Sequence, residues 1–290
     1  MDGHLLASQA LNGLGNGLIY FLIAVGLTLV FGLMNFVNFA HGSFFLLGAY
    51  VANDITSRGG SFWLALLLAP LIVAALAAVL ERGLLRYLYT TAHTYQIVAT
   101  FALAIFIQEA VTLRWGTDEF TMNSPTGLEG AVSILGIPYP SYRILVVGIS
   151  VVLAIALWLM LERTRFGSIL RAGSEDSNMV SSLGINVYGV FALTFSLAAA
   201  LAAMAGVLSA PMRGITPGVG NEILGLAFVI VVVGQLGSYL GALIAAIAVA
   251  LVQSLVVIYA PASGNVVIYV LMAAVLLARS DAIQGRFARA

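Results

Sequence analysis

The sequence predicts an all-α polytopic membrane bundle of eight or nine spans, one of them broken or re-entrant. Three observations carry that prediction. Hydrophobic residues make up 61% of the 290-residue chain and charged residues 8%, against about 45–50% apolar and about 25% charged in a soluble domain. Apolar runs recur at the length of about 20 residues that a helix needs to cross a bilayer core. The polar segments between them are too short to form domains, so 1–290 reads as a single transmembrane unit.

Spans are expected near 11–33, 36–56, 62–80, 94–113, 143–161, 187–209, 223–239, 240–258 and 265–279. The first follows MDGHLLASQALNG, which has no basic segment, so it is read as a retained span and not a cleaved signal. The second opens with NFVNFAHGSFFLLGAY. Asn35, Asn38 and His41 recur every three residues and would share one side of a helix. That side faces something other than hydrocarbon, which is why this span is the one expected to break. His41 fits two roles: a place on a translocation route, or a hydrogen bond to a neighbouring helix. In the fourth span Gln108 and Glu109 lie near one end, where Glu109 is within reach of Arg114 and structural pairing is favoured. Gly13 and Gly17, Ala202 and Gly206, and Gly237 and Gly241 form small-xxx-small pairs, which let helix backbones approach closely.

The 162–186 segment, ERTRFGSILRAGSEDSNMVSSLGIN, is the most informative connection. Ser174 is placed to cap a short helix with Glu175 and Asp176 in its first turn, and Gly184 to end it. Met179, Val180 and Leu183 then fall on one side. Such an element either lies on lipid headgroups or docks into another protein.

All twelve basic residues are arginine. Eight of them (Arg82, Arg86, Arg163, Arg165, Arg171, Arg279, Arg286 and Arg289) fall on one side of the expected topology, and Arg58, Arg114, Arg143 and Arg213 on the other. Because arginine-rich short loops stay inside, the 162–186 loop and the C-terminus are expected in the cytoplasm and 114–142 outside.

Several chemistries are absent from the sequence. A net charge of zero with no basic tail gives no reason to expect nucleic-acid binding, and without cysteine there are no disulfides or thiolate sites. His4, His41 and His93 are dispersed, and neither HExxH nor GxSxG occurs, so no catalytic or metal residues are assigned. A phosphate-binding loop needs a lysine that the chain lacks, so it is not expected to hydrolyse ATP. An ion-coupled secondary transporter needs carboxylates near the midplane, and the spans offer only Glu109, near one end. No selectivity filter is recognisable.

NGLGNGLIYFLIAVGLTLVFGLMNFVNFAHGSFFLLGAY, with NFAHG as its most specific part, together with IVATFALAIFIQEAVTLRWG and RAGSEDSNMVSSLGIN, resembles the permease subunits of ABC importers for branched-chain amino acids and related solutes. The likeness covers nearly the whole chain. It implies a multi-pass protein of a bacterial-type inner membrane, paired with a second homologous permease, two ATPase subunits that use ATP and Mg, and an extracytoplasmic solute-binding protein. No cofactor would be bound by this chain itself. It implies pathway roles for Asn35, Asn38, His41, Gly42, Gln108, Gln235 and Gly237, and ATPase coupling through Arg171, Ala172, Glu175, Asp176, Met179, Val180, Leu183 and Gly184. Leucine-type amino acids are the default solute, and urea, amides and aromatic acids are the alternatives within the family. One departure stands out: where such permeases have a GG[LIM]GS turn, this chain reads GQLGS, with Gln235 in place of glycine.

Overall fold

The computed structural model describes residues 3–134 and 136–287, so Arg289 of the tail lies outside the described residues. Helix α1 (Gly3–Leu27) runs on through a π-helical turn, Thr28–Leu33, and the chain then unwinds over 35–40 before α2 (His41–Ser57). Next come α3 (Phe62–Gly83) and α4 (His93–Trp115), joined by a short 3-10 turn, Leu85–Leu88. The 114–142 connection carries a feature that periodicity does not show, a hairpin of β1 (Ala131–Ile134) and β2 (Ile137–Pro140). Helix α5 (Ser141–Arg163) leads to two short helices, α6 (Arg165–Glu175) and α7 (Ser177–Ser182). The chain closes with α8 (Val187–Ser209), α9 (Val219–Gly234), α10 (Tyr239–Tyr259) and α11 (Gly264–Phe287). This is an all-α polytopic bundle, and its long helices coincide with the expected apolar runs.

Among the described residues six helices are long and apolar enough to cross a membrane: the 28-residue Leu6–Leu33, α3, α4, α5, α8 and α10. Helices α2 and α9, of 17 and 16 residues, extend only about 25 Å each, short of the ~30 Å hydrocarbon core. The core forms around α1 and α8, whose most apolar windows are 78% and 67% buried, against 28–33% for α3, α4, α5 and α10. Small residues set that arrangement. Helix α1 packs on α10 where Gly13 and Gly17 meet Leu251 and Ile247, a Cβ on either glycine coming within 2.9 Å of them. Helix α2 is clasped between α8 and α9, and a Cβ on Gly42 would collide with the Gly220 carbonyl. With no hydrophobic effect separating helix from lipid, such close backbone contact is what holds membrane helices together.

The bundle has two distinguishable ends. At one, the β1–β2 hairpin meets α1, Tyr139 donating to the Leu11 carbonyl (3.1 Å) and Arg143 to Asn12, while Phe120 bridges to Ile215. At the other lie the 35–40 break, the α3–α4 connection and α6–α7, a region that carries Arg82, Arg86, Arg163, Arg165 and Arg171.

Candidate functional site: a broken helix beside two short helices

The unwound segment explains the polar cluster in NFVNFAHG. Inside a bundle, freed backbone groups need partners. Residue Asn35 takes a left-handed conformation (φ 51°), which asparagine tolerates better than most side chains and which turns the chain out of the helix. The next amides are then captured by side chains. Gln96 Oε1 accepts from the Val37 amide at 3.1 Å, Thr100 Oγ1 from Phe39 at 3.0 Å, and Asn38 Oδ1 from Ala40 at 3.0 Å. Gln96 is in turn fixed by donating to the Leu88 and Thr91 carbonyls, 3.1 and 3.2 Å away. Sequence reasoning missed Gln96 and Thr100. Their signal was present: two polar residues four apart, hence on one helix face, followed by the apolar run 101–107.

His41 begins α2 fully buried, with Nε2 3.0 Å from the Ile23 carbonyl oxygen. A carbonyl only accepts, so the proton sits on Nε2. Gly26 makes room for the ring, since a Cβ there would stand 2.9 Å from His41 Cε1. Asn38 Nδ2 and His41 Nδ1 have no hydrogen-bond partner among the described residues.

Two polar cavities flank this region. One, of about 370 Å³, opens at the arginine-rich end between Met34, Asn35, Tyr89, His93 and Gln96 on one side and Glu175, Ser177 and Asn178 on the other. The second, of about 260 Å³, lies at the hairpin end among Asn16, Tyr20, Arg143, Arg213, Glu222 and Gln253. Along α1 they are separated by buried residues from Phe21 to Val30. His41 and Gly42 line neither cavity; His41 bonds into that closed zone, and Gly42 sits at the α2–α9 crossing.

The remaining residues expected on the pathway do not gather at one point. Gln108 accepts from Asn221 at 2.9 Å and so joins α4 to the start of α9. Glu109 is exposed and makes no ion pair with Arg114, which stands over the Trp115 ring, 5.4 Å from its centroid. Gln235 and Gly237 form the turn between α9 and α10 with φ of 74° and 78°. That turn abuts the π-helical stretch, where a Cβ on Gly32 would collide with Gly237. The π-helical stretch and this turn therefore touch.

The 162–186 segment differs from expectation in two ways. Ser174 does not cap a helix: it lies in the last turn of α6, its hydroxyl donating to the Arg171 carbonyl at 2.7 Å. Asp176 is the cap, accepting from the Met179 amide at 2.9 Å at the start of α7. The geometry favours Asp176 because Glu175 still belongs to α6 and the extended backbone needed at an N-cap occurs one residue later. Nor do the three apolar residues share a face. Val180 is buried at 6% exposure, whereas Met179 and Leu183, four apart, are 64% and 71% exposed. Gly184, at φ 79°, ends the turn as expected. Arg171 reaches back to the Leu161 carbonyl (3.0 Å) and Glu162 (3.4 Å), tying α6 to the negative end of α5. Ala172, exposed beside it, offers its carbonyl to the Asp176 amide at 3.0 Å.

A further buried cluster escaped the sequence because Glu81 reads as the start of a loop. It is fully buried in the last turn of α3, accepting from the Tyr89 hydroxyl at 2.9 Å, with Arg86 3.6 Å away. Burial, reinforced by the Glu81 charge, pushes the Tyr89 phenol far above its usual value, so it stays a donor. Tyr89 also meets Phe36 and Phe191 edge-on, linking the break to α8.

Comparison with known proteins places this architecture. The chain is 33% identical over 294 residues to the high-affinity branched-chain amino acid transport system permease protein BraD of Pseudomonas aeruginosa, covering 96% of this chain and 95% of that one. It is 30% identical to the corresponding LivH of Escherichia coli, with coverages of 96% and 95%. It is 27% identical to the LivM permease protein of the same organism, over 79% of this chain and 59% of that one. Residues 9–276 match the family described as branched-chain amino acid transport system/permease component, and the chain belongs to that family.

Proposed function

We propose that this chain is the transmembrane permease subunit of an ATP-driven importer of branched-chain amino acids. It would sit in the inner membrane, with the arginine-rich end and the C-terminus in the cytoplasm. It would pair with a second homologous permease, since it resembles both LivH and LivM, and work with two ATPase subunits that use ATP and Mg. An extracytoplasmic binding protein would deliver the solute. The observation that carries this reading is the exposed Met179–Leu183 pair on α7, whose preceding residues share a cavity wall with the broken helix.

In this reading Met179 and Leu183 dock into the ATPase, while Val180 keys α7 to the bundle. ATPase closure moves α6–α7. Arg171 passes that movement to α5 through the Leu161 carbonyl, and Asn186, which caps α8 by accepting from Gly189 at 2.9 Å, passes it to α8. Asn35, Asn38 and the 235–238 turn let the chain change shape where it is already unwound, so a small displacement opens one cavity and closes the other. His41 holds the zone between the two cavities shut through Ile23. The 23–33 stretch then has a polar anchor at one end and a turn containing Gly237 at the other.

Copurification tests this. A tagged wild-type chain, expressed with its neighbouring transport subunits, should retain both ATPases. Met179→Asp with Leu183→Asp should leave the permease in the membrane and release them. Full ATPase retention by the double variant would contradict the docking role and place these side chains on lipid headgroups.

A further inference from the structure

The cavity at the hairpin end combines features that no mechanism above uses. Arg213, in the connection before α9, donates through Nη2 to Glu222 at 3.0 Å. Arg143, at the start of α5, lines the same cavity, held by Asn12. The Arg213 and Glu222 side chains are 35% and 48% exposed, so solvent reaches both. Tyr20 and Gln253, bonded to each other at 3.0 Å, add polar groups, and Ile19, Phe45, Ile223 and Leu226 supply an apolar wall. At about 260 Å³ the space lies below the ~300–1,000 Å³ typical of drug-sized ligand pockets.

We propose that this cavity is a solute site built for a zwitterionic α-amino acid, with Arg213 and Arg143 receiving the carboxylate and Glu222 the ammonium group. The inference rests on the importer reading above and adds to it where the solute pauses on its way from the binding protein. Two guanidiniums and one carboxylate match a ligand carrying both charges at a fixed short separation. Arginine's planar donor fork suits a carboxylate. The existing Arg213–Glu222 pair opens when the ligand enters: one ion pair is exchanged for two, with no proton moved and no net charge buried. An aliphatic side chain then faces Ile19, Phe45, Ile223 and Leu226. Urea and simple amides carry neither charge, so they would have to break the Arg213–Glu222 pair without replacing it. That cost selects against them.

The test uses the intact transporter, purified through this chain and reconstituted in vesicles with its binding protein, measuring uptake of labelled L-leucine and of acetamide. Arg213→Gln and Glu222→Gln should each lower leucine uptake at least tenfold per intact complex. The exchange variant Arg213→Glu with Glu222→Arg restores the ion pair but reverses the charges offered to the ligand, so leucine uptake should stay low. Recovery of wild-type uptake in the exchange variant would overturn the proposal, because the pair would then be structural. Unchanged uptake in either single variant, or wild-type transport of acetamide in preference to leucine, would overturn it as well. Uptake that continues with an inactivated ATPase would count against the importer reading, and the charge variants would still decide the cavity.

Discussion

At the scale of single residues, the break in the second apolar run depends on side chains that accept from freed amides. Replacing Gln96 by Leu leaves the buried Val37 amide without its partner, at about 1–3 kcal/mol, and Thr100 by Val does the same to the half-buried Phe39 amide at the lower end of that range. Thermal unfolding of the purified chain should show both losses, with Gln96→Leu the larger because its amide also binds two carbonyls. Gln235 is the reverse case. Its φ of 74° and ψ of 129° suit glycine, and a side chain there costs about 1–3 kcal/mol. Gln235→Gly should therefore raise the unfolding temperature, whereas a fall would show that the exposed Gln235 side chain makes a compensating contact. Asn35, Asn38 and His41 were legible as a polar interruption because they stand between two long apolar runs. Their partners were not legible, since Ile23, Gln96 and Thr100 are brought to them by helix packing, which no local period encodes. Gly42 shows the same limit. Its small size reads from the sequence as room beside a pathway, while the structure uses it for contact with Gly220.

At the scale of elements, the long helices follow from apolar length alone, and the departures are all at short elements. The sequence places one short helix between Ser174 and Gly184 and assigns none over 165–173, because Ser174, Glu175 and Asp176 all favour a helix start. The buried stripe of Gly167, Leu170 and Gly173 carries α6 through Ser174, so the cap falls to Asp176. Asp176→Ala should weaken α7 by about 0.5–2 kcal/mol. It should lower ATPase affinity less than the Met179→Asp and Leu183→Asp pair does, because the apolar contacts survive on a frayed turn. Each of those two side chains is worth about 1.5–3 kcal/mol if enclosed by a partner. Val180→Asp should instead cost folding, since that side chain is already buried. The β1–β2 hairpin was also missed: four-residue strands in a Pro- and Gly-containing loop carry too few alternations to register.

At the scale of the whole molecule, the structure separates two ends, and the proposed topology puts the arginine-rich one in the cytoplasm. Single cysteines at Ser177 and Ser133 of this cysteine-free chain should react with an impermeant thiol reagent from opposite sides, Ser133 from outside. Reaction of both from outside would reverse the assignment of α6–α7. The two cavities lie one at each end of a closed zone around Ile23 and His41, and under the proposed function alternating access opens one as it closes the other around the packed α1–α8 core. The central claim is that ATPases, acting through α7, drive that change. It is tested most directly by leucine accumulation in vesicles containing the purified complex and its binding protein, with ATP, a non-hydrolysable analogue or an ion gradient alone. Accumulation only with hydrolysable ATP, lost in the Met179→Asp and Leu183→Asp double variant, is the predicted result; equal accumulation driven by the ion gradient without ATP would contradict it.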